Sequence, residues 1–153
     1  NAFFNHFNCD AITVSPYMGE ESIEPFISNP SKGAYVLCRT SNKSSTFIQE
    51  EIYSKVISLC EALNNQQNIG LVVGATNDDA LMQVRNSTDL PFLIPGIGAQ
   101  GGDLQSVLKI NEKNMDTTLI NVSRGIIFSG NKDHDSIRNS AKQYLNQLRG
   151  LNG

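Results

Sequence analysis

Five short apolar runs, rich in β-branched residues, recur along the chain, and each ends in a polar or glycine-rich turn. They are DAITVSP (Asp10 to Pro16), AYVLCRT (Ala34 to Thr40), IGLVVGAT (Ile69 to Thr76), PFLIPGIG (Pro91 to Gly98) and TLINVSRG (Thr118 to Gly125). The runs are nearly continuous rather than alternating, the pattern of strands buried on both faces. Between them the apolar positions switch to helical spacing. The spacing predicts a short helix over Ser22–Ser28 and a long one over Thr46–Leu63, where Phe47, Ile48, Ile52, Val56, Leu59 and Leu63 gather near one face. Further helices are predicted over Asn77–Arg85, Asp103–Lys109 and His134–Arg149. Asn77 stands where a cap is needed, followed by two acids in the first turn, as the helix dipole prefers. Asp103 stands in the same capping position one helix later.

Strand–helix alternation implies an α/β fold with a parallel sheet. No linker or low-complexity segment interrupts it, so residues 1–153 read as a single domain. Two architectures fit: a doubly wound open sheet, and a (β/α)8 barrel or part of one. In both, ligands gather at the carboxyl ends of the strands, so chemistry is expected in the turns that follow them. The chain opens directly on NAFFNHF, with Phe3, Phe4 and Phe7 at helical spacing. That is the pattern of the last turns of a helix that begins upstream, and it leads us to expect a longer native polypeptide.

Composition narrows the partners. A hydrophobic content of 39% with 18% charged residues suits a globular rather than a disordered chain. The net charge of −3 gives no general pull toward nucleic acid or an anionic membrane, so neither is an expected partner and any bound anion needs a local site. Cys9, Cys38 and Cys60 are odd in number and lack metal-ligand spacing. Cys38 falls in an apolar run and Cys60 on a helical face, which reads as buried free thiols in a reducing, cytoplasmic setting. No apolar run is long enough to span a bilayer. His6 and His134 are isolated, and neither a metal nor another cofactor is expected.

The turns after the runs read SPYMG, RTSNKSS, GATN, PGIGAQGGD and VSRG. The last two follow consecutive strands and can lie side by side. Glycine loses more freedom on folding than any other residue, so four glycines in one loop imply a close approach to its backbone. Backbone amides bared in this way, next to a helix start, make an anion site. Arg124 adds a full charge and a planar fork suited to phosphate, unless it is a surface salt-bridge partner. Gln100 is the one loop side chain able to hydrogen-bond a ligand. PGIGAQGG is not a Rossmann fingerprint, and it lacks the P-loop lysine. Thr40, Ser41 and Asn42 either recognise the amide edge of a planar ligand or cap the helix from Thr46.

Taken together, DAITVSPYMG, VLCRTSN, VVGAT, PFLIPGIGAQGGD and NVSRGII resemble the orotidine 5′-phosphate decarboxylase family, in the branch that carries TVNPYMG and PGIGAQGGD. The resemblance runs from Ala2 to about Leu148, and one departure is Ser15, where that branch usually has asparagine. It implies the C-terminal part of a (β/α)8 barrel of about five βα units, the family's fourth to eighth strands, in a homodimer whose partner completes each site. It implies decarboxylation of orotidine 5′-monophosphate to uridine 5′-monophosphate (UMP) in pyrimidine biosynthesis, without a cofactor. Carried over by resemblance, Gln100 binds phosphate and the pyrimidine side, Arg124 binds phosphate, amides near Ser123 and Arg124 add to that grip, Ser41 contacts the pyrimidine amide edge, and Pro95 packs on the base. The family's catalytic lysine and its Asp-x-Lys-x-x-Asp motif have no counterpart here: NKDHDS (Asn131 to Ser136) has the letters without the spacing. The resemblance places them before Asn1, on missing strands or on a separate chain. Two other readings stay open: a related barrel acting on a sugar phosphate, and a half-barrel that binds a nucleotide or partner chain without turnover. Ser41 and its neighbours, and the absence of His or paired carboxylates at these strand ends, favour the pyrimidine.

Overall fold

The computed structural model describes residues 2–98 and 100–150; Asn1, Ala99 and the last three residues lie outside it. Each of the five apolar runs carries a strand, β2 starting one residue before its run: β1 (Ala11–Val14), β2 (Gly33–Arg39), β3 (Ile69–Val73), β4 (Phe92–Pro95) and β5 (Thr118–Asn121). All neighbouring pairs are parallel and the strand order is sequential, β1-β2-β3-β4-β5. Right-handed crossovers that always step in one direction put every helix on the same face of the sheet. A doubly wound sheet needs a reversal of order to populate both faces. The arrangement is therefore the barrel type, as five of its βα units, and the doubly wound alternative is excluded.

The helices are α1 (Glu24–Ile27), α2 (Thr46–Leu63), α3 (Asp78–Ser87), α4 (Leu104–Ile110), α5 (Arg124–Ile127) and α6 (His134–Leu148). Their bounds follow the sequence periodicity closely, except that the helix expected over Ser22–Ser28 splits into a 3-10 turn (Glu20–Ser22) and α1, with Pro25 near its start. Proline there fits the first turn of a new helix, where its missing N–H costs nothing. Asn77 caps α3 by accepting the amide of Ala80, and Asp103 caps α4 by accepting that of Ser106. The N-terminal aromatic segment is a single π-helical turn, Ala2–His6, in which no residue is buried. Phe4 meets Phe26 edge-on at 6.3 Å, while Phe3 and Phe7 stay exposed. Among the described residues no helix is long and apolar enough to cross a membrane.

Alternate strand residues face the helices and form the core. Val36 and Cys38 of β2, Ile69, Leu71 and Val73 of β3, and Phe92 and Ile94 of β4 pack under Val56, Ile57 and Cys60 of α2, Leu81 and Val84 of α3, and Val107 of α4. Cys38 and Cys60 are buried free thiols, as expected, and burial pushes both up to about 12. Two arginines fasten the helices to the strands. Arg39 pairs with Glu50 and lies over the Tyr53 ring at 5.1 Å. Arg85 lies 3.4 Å over the ring of Phe92 and donates to Asn111 Oδ1 and to the carbonyls of Thr88 and Leu90. Burial lowers its pKa to about 10, well above neutrality, so the group stays charged.

Among the described residues, no helix layer covers the other face of the sheet. In register across it run Leu37, Val72, Leu93 and Leu119, and Leu119 remains 53% exposed. In a closed barrel such rows fill the centre; five strands do not reach around it.

Phe92 is fully buried, so Phe92→Ala is expected to lower the unfolding free energy by about 3–5 kcal/mol. Asn77→Ala, which removes only a cap, should cost about 1 kcal/mol. Chemical denaturation of the full polypeptide measures both.

Candidate functional site

The turns after β2, β3, β4 and β5 meet at the carboxyl rim of the sheet. Ser41 follows β2, and its Oγ donates to Gln100 Oε1 at 2.7 Å, across from the loop after β4. This brings together two of the five candidate residues that lie fifty-nine positions apart in the chain. Several features hold Ser41 in place. Thr76 Oγ1 donates to the Ser41 carbonyl at 3.2 Å, and the Thr40 amide donates to Gln49 Oε1 of α2 at 2.7 Å. A methyl on Gly74 would fall 2.7 Å from the Ser41 nitrogen, so only glycine lets the second turn settle on the third. Thr40, Ser41, Gly74, Thr76 and Gln100 line one cleft of about 330 Å³.

The helix-capping reading of the Thr40–Asn42 cluster does not hold. Ser45, at the start of α2, makes no side-chain capping bond, and a 3-10 turn (Lys43–Ser45) separates the cluster from the helix. These side chains instead bond one another and Gln49: Thr40 Oγ1 donates to Asn42 Oδ1 at 2.5 Å, and Gln49 Nε2 donates to Thr40 Oγ1 at 2.9 Å. The Ser41 hydroxyl faces the cleft.

The glycine loop also departs from expectation. Its amides do not all point at open space: Gly98 N–H donates to Gly102 O, Gly101 N–H to Gly98 O, and Gly102 N–H to Gly96 O. Two other needs account for the glycines. Gly96, Gly98 and Gly101 have φ of 104°, 72° and 95°, in the left-handed region that other residues avoid. The second need is room for protein groups. A methyl on Gly96 would stand 3.2 Å from Gln100 Oε1, and one on Gly102 would stand 2.7 Å from the Ala75 Cβ. The loop is folded back on itself to aim Gln100 at Ser41.

Pro95 ends β4 in register with Asn121 at the end of β5, so the glycine loop and the VSRG turn start side by side. Pro95 is half-buried, on the face of the sheet away from the helices. Ser123 precedes α5, and Arg124 is its first residue; both are exposed. The salt-bridge alternative for Arg124 is not realised, since it forms no ion pair with a described residue. The structure thus joins Ser41 to Gln100 directly, and sets Pro95, Ser123 and Arg124 along the same rim without a bond to that pair. Gly74, Thr76 and Gln49 support the site and were not legible as such. Their partners sit at the ends of other strands, and only the VVGAT run hinted at the first two.

The largest of the described hollows lies apart from these residues. It measures about 630 Å³ and is lined by Tyr17, Leu37, Ile48, Ile52, Val56 and Leu59, with Asn42, Gln49 and Lys55 among its polar walls. None of the five candidate residues lines it. Around it Tyr17, Met18, Phe47 and Ile48 are all more than half exposed.

Comparison with known proteins agrees with this geometry. Residues 2–137 match the model of the "Orotidine 5'-phosphate decarboxylase / HUMPS family". The orotidine 5'-phosphate decarboxylase of Halorubrum lacusprofundi is 43% identical over 134 residues, 79% of this chain and 49% of that protein. That of Dehalococcoides mccartyi is 42% identical over 93% of this chain and 58% of its own length. The solved structure of Leishmania donovani OMP decarboxylase superposes with a TM-score of 0.87 at 38% identity, covering 98% of this chain and 60% of that one. The chain spans about half the length of the curated relatives it matches.

The cap that starts α4, just past the glycine loop, makes a pH-dependent prediction. The Ser106 amide holds the Asp103 carboxyl below its ordinary value of 3.8. A depressed folded-state pKa means that the cap's stabilisation is complete above that value and disappears as pH falls through the lower, folded one. Asp103→Asn should keep the cap and flatten this part of the acid limb, read from denaturation midpoints between about pH 5 and pH 2.

Proposed function

The chain belongs to the orotidine 5′-phosphate decarboxylase / HUMPS family, and from that premise we propose that it is the substrate-gripping half of an enzyme that decarboxylates orotidine 5′-monophosphate to UMP. The observation that carries the reading is the Ser41–Gln100 hydrogen bond at the strand rim. It sets a group suited to an amide edge beside a group suited to phosphate, at the ends of the second and fourth of these strands. Gln100 and Arg124 grip the phosphate, with amides near Ser123 and Arg124 completing the cradle. Ser41 reads the pyrimidine amide edge, and Pro95 packs on the base.

In this reading the grip acts at a distance. Binding energy from the phosphate is available to the transition state at the far end of the nucleotide, where carbon dioxide leaves and a carbanion-like centre develops. By the family resemblance, a lysine that protonates that centre and its carboxylate neighbours are assigned outside this chain, which spans 49% of the Halorubrum lacusprofundi relative. Three more strands, pairing along the free edges of β1 and β5, close the barrel around the inward row Leu37–Val72–Leu93–Leu119, whether they precede this segment or come from another chain. The rim of Tyr17, Met18, Phe47 and Ile48 suits burial against a second copy, in a homodimer. Two buried thiols fit a reducing compartment, and the cytoplasm is the proposed setting.

Arg124→Ala in the full polypeptide should lower kcat/KM for orotidine 5′-monophosphate at least about ten-fold, or about 1.4 kcal/mol; an unchanged value removes its assigned role. The wild-type protein should bind UMP in preference to a pentulose phosphate, measured by calorimetric titration. The reverse preference would move the assignment to a sugar-phosphate enzyme.

A further inference from the structure

The glycine loop after β4 and the arginine turn after β5 are separate pieces of chain. Each contains a glycine that closely approaches the same atom. A methyl on Gly98 would lie 2.6 Å from the Tyr144 hydroxyl oxygen, and a methyl on Gly125 would lie 2.7 Å from it. Gly98 needs glycine for its backbone as well, with φ of 72°. Gly125 does not, because its φ lies outside the left-handed region. Its lack of a side chain is explained by space, taken up by Tyr144 and, at 3.3 Å, by Val122 Cγ1.

Tyr144 comes from α6, the helix that runs beside both loops: Ser140, Gln143 and Gln147 line a hollow together with Gly98, Gly102 and Gly125. One turn earlier on the same helix, Ser140 Oγ donates to the Gly125 carbonyl at 2.9 Å. Residues four apart share a helix face, so α6 meets the arginine turn with both groups at once. The Tyr144 ring is half-buried against the core. It borders a gap of about 250 Å³ under α6, lined by Leu104, Ile120 and Ile126. The ring is held by its packing against the core, which sets the hydroxyl at the junction of the two loops.

We propose that Tyr144 is a positioning residue: its hydroxyl is the spacer that sets the glycine loop against the arginine turn, and so fixes the distance between Gln100 and Arg124 in the phosphate cradle. The inference rests on the phosphate reading above. Tyr144 is not assigned a contact with the substrate. It acts through the two loops, and the effect is expected on recognition of the phosphate rather than of the base.

The test compares binding of UMP with binding of uridine to the full polypeptide, in the wild type, Gly125→Ala, and Gly125→Ala combined with Tyr144→Phe. A methyl at position 125 against the intact hydroxyl forces the loops apart. Gly125→Ala should therefore reduce the preference for UMP over uridine by about ten-fold or more, since small misplacements of binding groups carry costs of this order. Removing the hydroxyl makes room for the methyl, so the double variant should recover most of that preference, with uridine affinity unchanged throughout. A single variant with undiminished preference, or a double variant no better than the single, overturns the proposal. The same holds if Gly125→Ala fails to fold and Tyr144→Phe does not restore folding; restored folding supports it. A wild type that binds uridine as well as UMP overturns the phosphate reading itself, and this inference with it.

Discussion

Parallel, in-order pairing of the five strands is the constraint on which everything else in this structure depends. Because each crossover steps to the next strand in the same sense, the helices all cover one face and the turns after the strands all emerge on one rim. Residues as far apart as Ser41 and Gln100 are neighbours only because β2, β3 and β4 stand in that order. The close approach at Gly74, just past the strand between them, removes the last obstacle. Without a bare backbone there, the second turn would ride above the third and the hydrogen bond across the cleft would not form.

The sheet is asymmetric in a way that carries function. Its helix-facing side is a finished core, with Phe92, Leu71 and Ile94 fully buried and Arg85 and Arg39 tying helices to strands. Its opposite side presents an apolar row without a helix layer among the described residues, in which Val72 is buried by its neighbours and Leu119 is largely exposed. A barrel shares its burden in this manner: the helices stabilise each βα unit locally, whereas the inner rows need the whole circle. This half therefore holds a well-formed rim, where small polar side chains are fixed by bonds to backbone and to α2, on a sheet whose inner surface awaits partners. Such preorganisation suits binding groups, which act through fixed distances.

The glycine-rich loop illustrates how one motif can have two physical explanations. Bare backbone suggested amides offered to an anion. In the structure several of those amides bond within the loop, and the glycines serve positive φ values and close contacts with Gln100, Ala75 and Tyr144. The phosphate reading thereby shifts its weight from loop amides to side chains, Gln100 and Arg124, and to the elements that place them.

Periodicity alone determined the five strands, the bounds of α2, α3, α4 and α6, and the caps Asn77 and Asp103, because these depend on residues within a turn or two of each other. Buried thiols at Cys38 and Cys60 were equally legible from their apolar neighbours. Strand order was not, since a doubly wound sheet and a barrel share one local pattern; only pairing between distant strands separates them. The same holds for the rim. The sequence offered Thr40, Ser41 and Asn42 as either cap or ligand contact, and tertiary packing against Gln49, Gly74 and Gln100 removed the cap. Tyr144 gave no signal at all, as one more residue on an amphipathic helix, until the fold brought its hydroxyl between two glycines of different loops.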